Sequence, residues 1–287
     1  MSQTRRDNFA GVIKRLLIWL LVLAAWEGAY RAIGWKSYKF PAPSHIVDSL
    51  LDQLNIRTTF GKPTRTKGWP ISQDPPPKTQ QHVPLITANL VSAVRLLLGF
   101  ILSIAIGGTI GIAMWRFKPL DEFLGPLLLG LQTLPSVCWV PLAILTYGLN
   151  ESAVMFVLVM GSFSAIAIAL RDGLTTMPPL YRRAGLMLGA SGWRLYRYVL
   201  LPASLPAFAT SLRQGFSFAW RSLLGAELIL TAVQWHGLGF LLDSARNVGG
   251  VADVIAIMIV MVVIGMIADR WVFAKLQKAV NARFGLG

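Results

Sequence analysis

Apolar residues run along this chain in long blocks, with polar, Gly- and Pro-marked segments between them. Six blocks stand out, at about 13–33, 91–115, 122–148, 153–171, 205–232 and 252–273. Each approaches or exceeds the roughly 20 residues an α-helix needs to cross a bilayer. The pattern predicts an all-α, polytopic membrane protein with about six transmembrane helices. Its expected organisation is a tail and first span over 1–33, an outer loop over 34–90 and a core over 91–275. The core holds a cytoplasmic loop at 172–204, and a C-terminal tail occupies 276–287. No internal repeat is evident, which argues against the inverted-repeat secondary transporters.

Composition sharpens this. Of 287 residues, 54% are apolar and only 14% charged, where a soluble domain carries about 25% charged residues. The net charge is +14. In a soluble chain that would suggest nucleic acid. Here the cations flank apolar blocks, so topology and anionic lipid account for them and no nucleic-acid role is expected. If the N-terminus is cytoplasmic, fifteen Lys and Arg face the cytoplasm and ten face outside, Arg95 among them. Most of the ten lie in one long loop, which counts less, so both termini are expected in the cytoplasm of a multi-pass (inner) membrane protein. The N-terminal block lacks a small-x-small cleavage site and reads as a retained span. A single Cys138, inside an apolar block, reads as a small buried apolar residue.

The outer loop has two parts. "FPAPSHIVDSLLDQL" predicts a Pro-marked turn and a short amphipathic helix with Ser44 as N-cap. Residues 56–83 are polar and Pro-rich, the composition of a flexible linker insertion. The sharper alternative is a docking surface for an extracytoplasmic partner. Before this loop, Glu27 and Arg31 stand i,i+4 with Glu first, the favourable order for a local pair.

Between two apolar blocks lies "AGLMLGASGWRLYRYVLLPASLP", residues 184–206. Residues 181–188 suit a short helix that Gly189 ends or bends. Ser191 can cap a second helix over 192–201, which Pro202 would end. Pro206 fits the first turn of the next span. The result is a cytoplasmic helix–turn–helix platform. By its chemistry alone it suits either docking to a partner protein or an amphipathic segment resting on lipid.

The spacing of this segment resembles the cytoplasmic loop of importer-type ABC permeases: E-A-A, three residues, Gly, nine residues, Ile, one residue, Leu-Pro. Gly189, Val199, Leu201 and Pro202 match, while the leading triplet reads Arg183-Ala184-Gly185. Arg183 replaces the family Glu, so an ion pair made by that Glu does not carry over. "AAWEGAYRAIG…FPAPSHIV", "LQTLPSVCWVPLAILTYGLNESAVMF" and "LRQGFSFAWRSLLGAELI" are similar to spans of the nitrate/sulfonate/taurine (bicarbonate) permeases. The resemblance covers most of 20–275 and leaves 56–83 unmatched. It implies two permease chains, for which one chain with one loop fits a homodimer, each loop seated as a coupling helix in one of two ATPase subunits. ATP and Mg would be bound by those ATPases, and an extracytoplasmic binding protein would deliver substrate. The implied cargo is a small anion: aliphatic sulfonate or taurine first, then nitrate, bicarbonate or a thiamine-precursor-like compound. This chain has no phosphate loop, since "GKPT" at 61–64 lacks the upstream Gly. It is expected to be a non-catalytic subunit that holds no cofactor.

Polar residues inside the blocks mark a candidate pathway. Pro135 and Pro141 interrupt a block containing Gln132, Thr133 and Ser136. Prolines free backbone carbonyls, which membranes tolerate where protein or a water-filled cavity covers them. A merely kinked packing helix is the alternative. Glu227 lies mid-block, where a carboxylate must pair or face a cavity. It is a candidate gate residue or an interhelical hydrogen-bonding residue, and repulsion of an anionic substrate favours the second. Arg221, six positions earlier, is poorly placed as its same-face partner. "GGTIG" at 107–111 predicts close helix packing. His45, His82 and His236 are scattered, and no block holds a catalytic constellation, so a membrane enzyme is disfavoured. A gradient-driven secondary transporter or channel is the competing class, and the 181–202 spacing discriminates against it.

Overall fold

The apolar blocks form helices, and the prolines and glycines decide where those helices stop. A computed structural model of the chain describes residues 3–34, 40–53, 85–231, 233, 235–248 and 250–283, with no strand among them. The helices are, in order, α1 (Gln3–Ile33), α2 (Pro43–Gln53), α3 (Leu85–Arg116), α4 (Lys118–Thr133), α5 (Val140–Tyr147) and α6 (Glu151–Thr175). There follow α7 (Pro179–Met187), α8 (Gly192–Leu195), α9 (Leu201–Ile229), α10 (Leu238–Asn247), α11 (Val251–Ile267) and α12 (Ala274–Arg283). A 3-10 turn, Ser136–Trp139, precedes α5; π turns Tyr196–Leu200 and Ala268–Phe273 lead into α9 and α12. The fold is all-α, as the blocks predict. Among the described residues, α3, α6 and the run Val251–Arg283 are each long and apolar enough to cross a membrane, and the bent α4–α5 pair makes a fourth if it is counted as one broken span. The blocks at 13–33 and 205–232 form α1 and α9, the latter with Arg213, Arg221 and Glu227 inside it.

Contacts sort the chain into two units, Met1–Ile86 with Leu241–Val260 and Thr87–Phe240 with Met261–Gly287. In the first unit α1 meets α2. The expected pair forms, with Arg31 Nη2 2.8 Å from Glu27 Oε1. Ser44 is not an N-cap: Pro43 opens α2 and Ser44 sits in its first turn. Proline loses nothing there, because its missing N–H has no helical partner anyway. Glu27 instead accepts from the Ser44 backbone N–H and hydroxyl, both at 3.3 Å, an anion placed at a helix N-terminus. Trp26 packs on Phe40, Tyr30 meets His45 edge-on, and the Ser49 hydroxyl donates to Asp253 in the first turn of α11. The insertion at 56–83 and His82 lie outside the described residues.

In the second unit α6 is the central helix. It is apolar or small on nearly every side and buried accordingly. α9 lies along it, with Leu158 and Ile166 of α6 in one core with Phe216, Ala219 and Leu223 of α9. Phe100 of α3 and Phe273 join Phe216 in an aromatic group with ring centroids 4.6–6.2 Å apart.

α3 meets α6 through the small-residue run. A Cβ on Gly107 would overlap the Phe163 carbonyl oxygen, and one on Gly111 would lie 2.6 Å from that of Ala167. The Ser162 hydroxyl bonds Ser103 across the same contact at 2.8 Å. Gly107→Leu is therefore expected to destabilise the fold by about 1–3 kcal/mol or more, since the two backbones must part. Gly108, where a Cβ would meet nothing, supplies the control: Gly108→Leu should stay within about 0.5 kcal/mol. Thermal midpoints in detergent compare the two. Equal midpoints would refute the packing role.

Outward, α3 presents Ile86, Leu90, Val94, Leu97, Leu98 and Ile101, all exposed, the apolar face a lipid-bounded helix needs. Several charges inside the helices are paired. Arg213 makes a two-pronged bond to Asp269 at 2.7 and 2.8 Å, and Arg171 bonds Asp121 at 2.6 Å. Cys138 departs from expectation: it is exposed, because it lies on the 3-10 turn that breaks its apolar block rather than on a packed helix.

Candidate functional site

The expected span at 122–148 is two helices at 101° to each other. Residues before proline avoid the α region. Leu134 is accordingly extended at φ −72°, ψ 124°, and Pro135 follows at φ −54°, ψ 135°. Pro141 interrupts nothing; it sits in the first turn of α5, where proline is tolerated. The bend opens a cleft of about 280 Å³ against α9. Gln132, Thr133, Pro135 and Ser136 line it from the break, and Phe218, Arg221 and Ser222 from α9. The Gln132 side-chain nitrogen is buried there with no hydrogen-bond partner. Arg221 is exposed; its Nε donates to the Ser217 carbonyl at 3.0 Å and its guanidinium stands 4.7 Å from the centre of the Phe218 ring. Among the described residues no carboxylate lies within ion-pair distance of it. Gln132, Pro135 and Ser136 are thus brought together, whereas Pro141 and Glu227 are not on this cleft.

Glu227 belongs to a different site. It is 2% exposed. Its carboxylate accepts from Arg95 Nη1 at 2.8 Å, from the Ser92 hydroxyl at 2.7 and 2.9 Å, and from the Gly239 N–H at 3.1 Å. Arg95 also donates to Glu151 at 2.5 and 2.7 Å and to the Trp235 carbonyl at 2.6 Å. Ser92 accepts in turn from the Leu238 N–H at 2.9 Å. The network joins α3, α6 and α9 and satisfies the first amides of α10, which have no helical partner of their own. A Cβ on Gly237 would overlap the Glu227 carboxylate, so a larger residue there would have to displace it. Arg95, counted above with the outside charges, is 5% exposed and internal. Sequence reasoning missed it as a site residue. The available signal was an Arg inside an apolar block, which calls for a buried partner.

The platform at 178–202 is real in outline and differs in detail. α7 ends in a turn where the Gly189 N–H bonds Leu186 O and the Ala190 N–H bonds Gly185 O, both at 3.0 Å. Gly189 takes φ +78°, the left-handed region that favours glycine. Gly185 is buried, and a Cβ there would stand 2.7 Å from Leu195 and 3.0 Å from Val199. That contact locks α7 onto the following segment, and it gives a packing reason for glycine where the family pattern has Ala. Arg183, Ala184 and Leu201 are exposed, while Val199 and Pro202 are half-buried. Pro202 does not end a helix. The chain passes from α8 through the π turn directly into α9, so Pro202 lies in the first turn of α9 and Pro206 lies inside it. The wide π turn and the N-terminal position leave Pro202 no amide to supply.

Comparison with known proteins agrees with this architecture. Residues 89–278 match the family described as binding-protein-dependent transport system inner membrane component. An ABC transporter permease protein of Methanocaldococcus jannaschii is 33% identical over 186 residues, covering 65% of this chain and 69% of that protein. The bicarbonate transport system permease protein CmpB of Synechococcus elongatus is 29% identical over 68% of this chain and 69% of its own length. The nitrate import permease protein NrtB of Synechocystis is 27% identical over 63% and 65%. Among solved structures, the inward-facing MetNI methionine ABC transporter aligns with TM-score 0.58 and 17% identity over 68% of this chain and 95% of that one, a likeness of fold. With the family pattern matched over about two thirds of its length, the chain belongs to the inner-membrane components of binding-protein-dependent ABC transport systems.

Proposed function

We propose that this chain is the non-catalytic, membrane-spanning subunit of an ATP-driven importer for a small oxyanion. The observation that carries the reading is the platform at 178–202. Its left-handed Gly189 turn and Gly185 contact make a rigid, exposed helix pair at the spacing of an ABC coupling loop. Residues Arg183, Ala184, Gly185, Gly189, Val199, Leu201 and Pro202 would seat against an ATPase, which binds ATP and Mg. Two chains, two ATPases and an extracytoplasmic binding protein complete the complex, with both termini in the cytoplasm. Movement of the ATPases would then swing the helices between inward- and outward-facing states. Relatives named for bicarbonate and nitrate support a compact oxyanion cargo; aliphatic sulfonates, and taurine through its sulfonate group, would present a similar set of anionic oxygens. Gln132, Pro135 and Ser136, which line one cleft, would serve as pathway residues.

The test is purification from native membranes followed by mass spectrometry, then uptake in proteoliposomes. Recovery of an ATPase and a binding protein, with uptake that needs ATP and both partners, is the expected result. Recovery of this chain alone, with uptake driven by an ion gradient, would overturn it in favour of a secondary transporter.

A further inference from the structure

We propose that the cleft at the α4–α5 break is a station for the transported oxyanion, anchored by the Arg221 guanidinium and the Gln132 amide. The proposal rests on the importer reading above and extends it to a binding site and a ligand chemistry.

α9 carries one carboxylate, Glu227, and two arginines besides. Arg213 is committed to Asp269. Glu227 is committed to Arg95, Ser92 and the Gly239 N–H. Six residues separate Glu227 from Arg221, about 9 Å along a helix. The one carboxylate that would repel an anion is thus held in a buried ion pair on a different site. Arg221 is left as the uncompensated charge facing the cleft. A cation without an acidic partner is costly inside a membrane and is retained where it serves a pathway.

Geometry narrows the ligand. The Ser217 carbonyl occupies Nε, and the Phe218 ring lies against the guanidinium. The two terminal NH2 groups remain as a parallel donor pair, the arrangement that fits two oxygens of one oxyanion. Gln132, on the wall of the same cleft, carries a side-chain nitrogen that is buried and has no hydrogen-bond partner. Ser136 and Ser222 add hydroxyls on its walls. A water takes about 30 Å³ of liquid volume. A cleft of about 280 Å³ therefore admits a compact oxyanion with a few waters. Partial hydration keeps binding weak enough for release, which transport requires.

The experiment uses the complete complex in proteoliposomes, with labelled nitrate, bicarbonate and methanesulfonate as probes and saturating binding protein. Two rates are read, anion uptake and the ATP hydrolysis stimulated by loaded binding protein. Arg221→Ala is expected to lower uptake at least about tenfold, the scale of a lost charge-assisted bond pair, while stimulated hydrolysis stays within about twofold. Arg221→Lys keeps the charge without the fork and should fall between. Gln132→Leu should lower uptake several-fold in the same split pattern. A general folding defect would depress both rates together, so the split is specific. If Arg221→Ala fails to assemble, Arg221→Lys and Gln132→Leu decide the matter. Variants that take up anion within twofold of wild type, or that lose both rates in parallel, overturn the station and leave the importer reading intact. A wild-type complex with no ATP-dependent uptake of any of the three probes would overturn both.

Discussion

Arg95→Met is expected to destabilise the protein by about 3–5 kcal/mol, because it strands a buried carboxylate. Glu227 lies under the protein surface with its side chain 1% exposed, and Arg95 is its only cationic partner among the described residues. Ser92 and the Gly239 N–H remain after the substitution, but neither brings a compensating charge. Glu151 behaves differently. Its side chain is 38% exposed, so it can regain water when Arg95 is lost. The cost therefore concentrates on Glu227, and the pair can be dissected. The double variant Arg95→Met/Glu227→Gln removes both charges and should recover much of the loss, since a neutral amide still bonds Ser92. A loss of this size corresponds to a fall in thermal midpoint on the order of 10 °C for a domain of this length. Midpoints in detergent for the two single variants and the double variant give the coupling between the residues. A single variant melting within 2 °C of wild type, or a double variant no better than the worse single one, would contradict the network's role.

Gly189→Val is expected to abolish coupling without preventing insertion. Gly189 sits at φ +78°, a conformation that a β-branched residue avoids at a cost of about 1–3 kcal/mol. The surrounding space is open, so the defect is one of backbone conformation and not of overlap. The turn would reshape, and the α8 segment would lose its seat on Gly185. ATP-dependent uptake should fall more than about tenfold, because a platform that transmits motion must hold one geometry. The amount of protein extracted from membranes should stay near wild type, because the spans themselves are untouched. Gly189→Asn is the informative companion, since Asn tolerates the left-handed region; it should retain more uptake than Val. Equal uptake by wild type and Gly189→Val would show that the turn's conformation does not matter for transport.

The readable parts of this protein were those set by local composition. Long apolar blocks became helices because a backbone in lipid must satisfy its own hydrogen bonds. The Gly-and-Pro punctuation at 185–202 marked the platform, and the small residues at 107–111 marked the α3–α6 contact. The errors were also local in kind. Pro202 was expected to end a helix, yet the π turn let the chain continue into α9. Cys138 was expected to be buried, yet it sits on the turn that breaks its block. In both cases the period of the pattern could not report a change of helix type or direction.

By itself, then, the sequence determined the all-α class, the positions of the membrane blocks and the loop between two of them, because each depends on residues within one segment. Only the tertiary structure decided which charges are spent and which are free. Glu227 chose Arg95, 132 positions away, over the nearer Arg221 and Arg213. It did so because α3 and α9 meet where those side chains face each other, which no spacing within α9 can reveal. The same choice leaves Arg221 unpaired beside the 101° break. An ion pair between helices is a property of their packing, and so is the charge left over when the pairing is done.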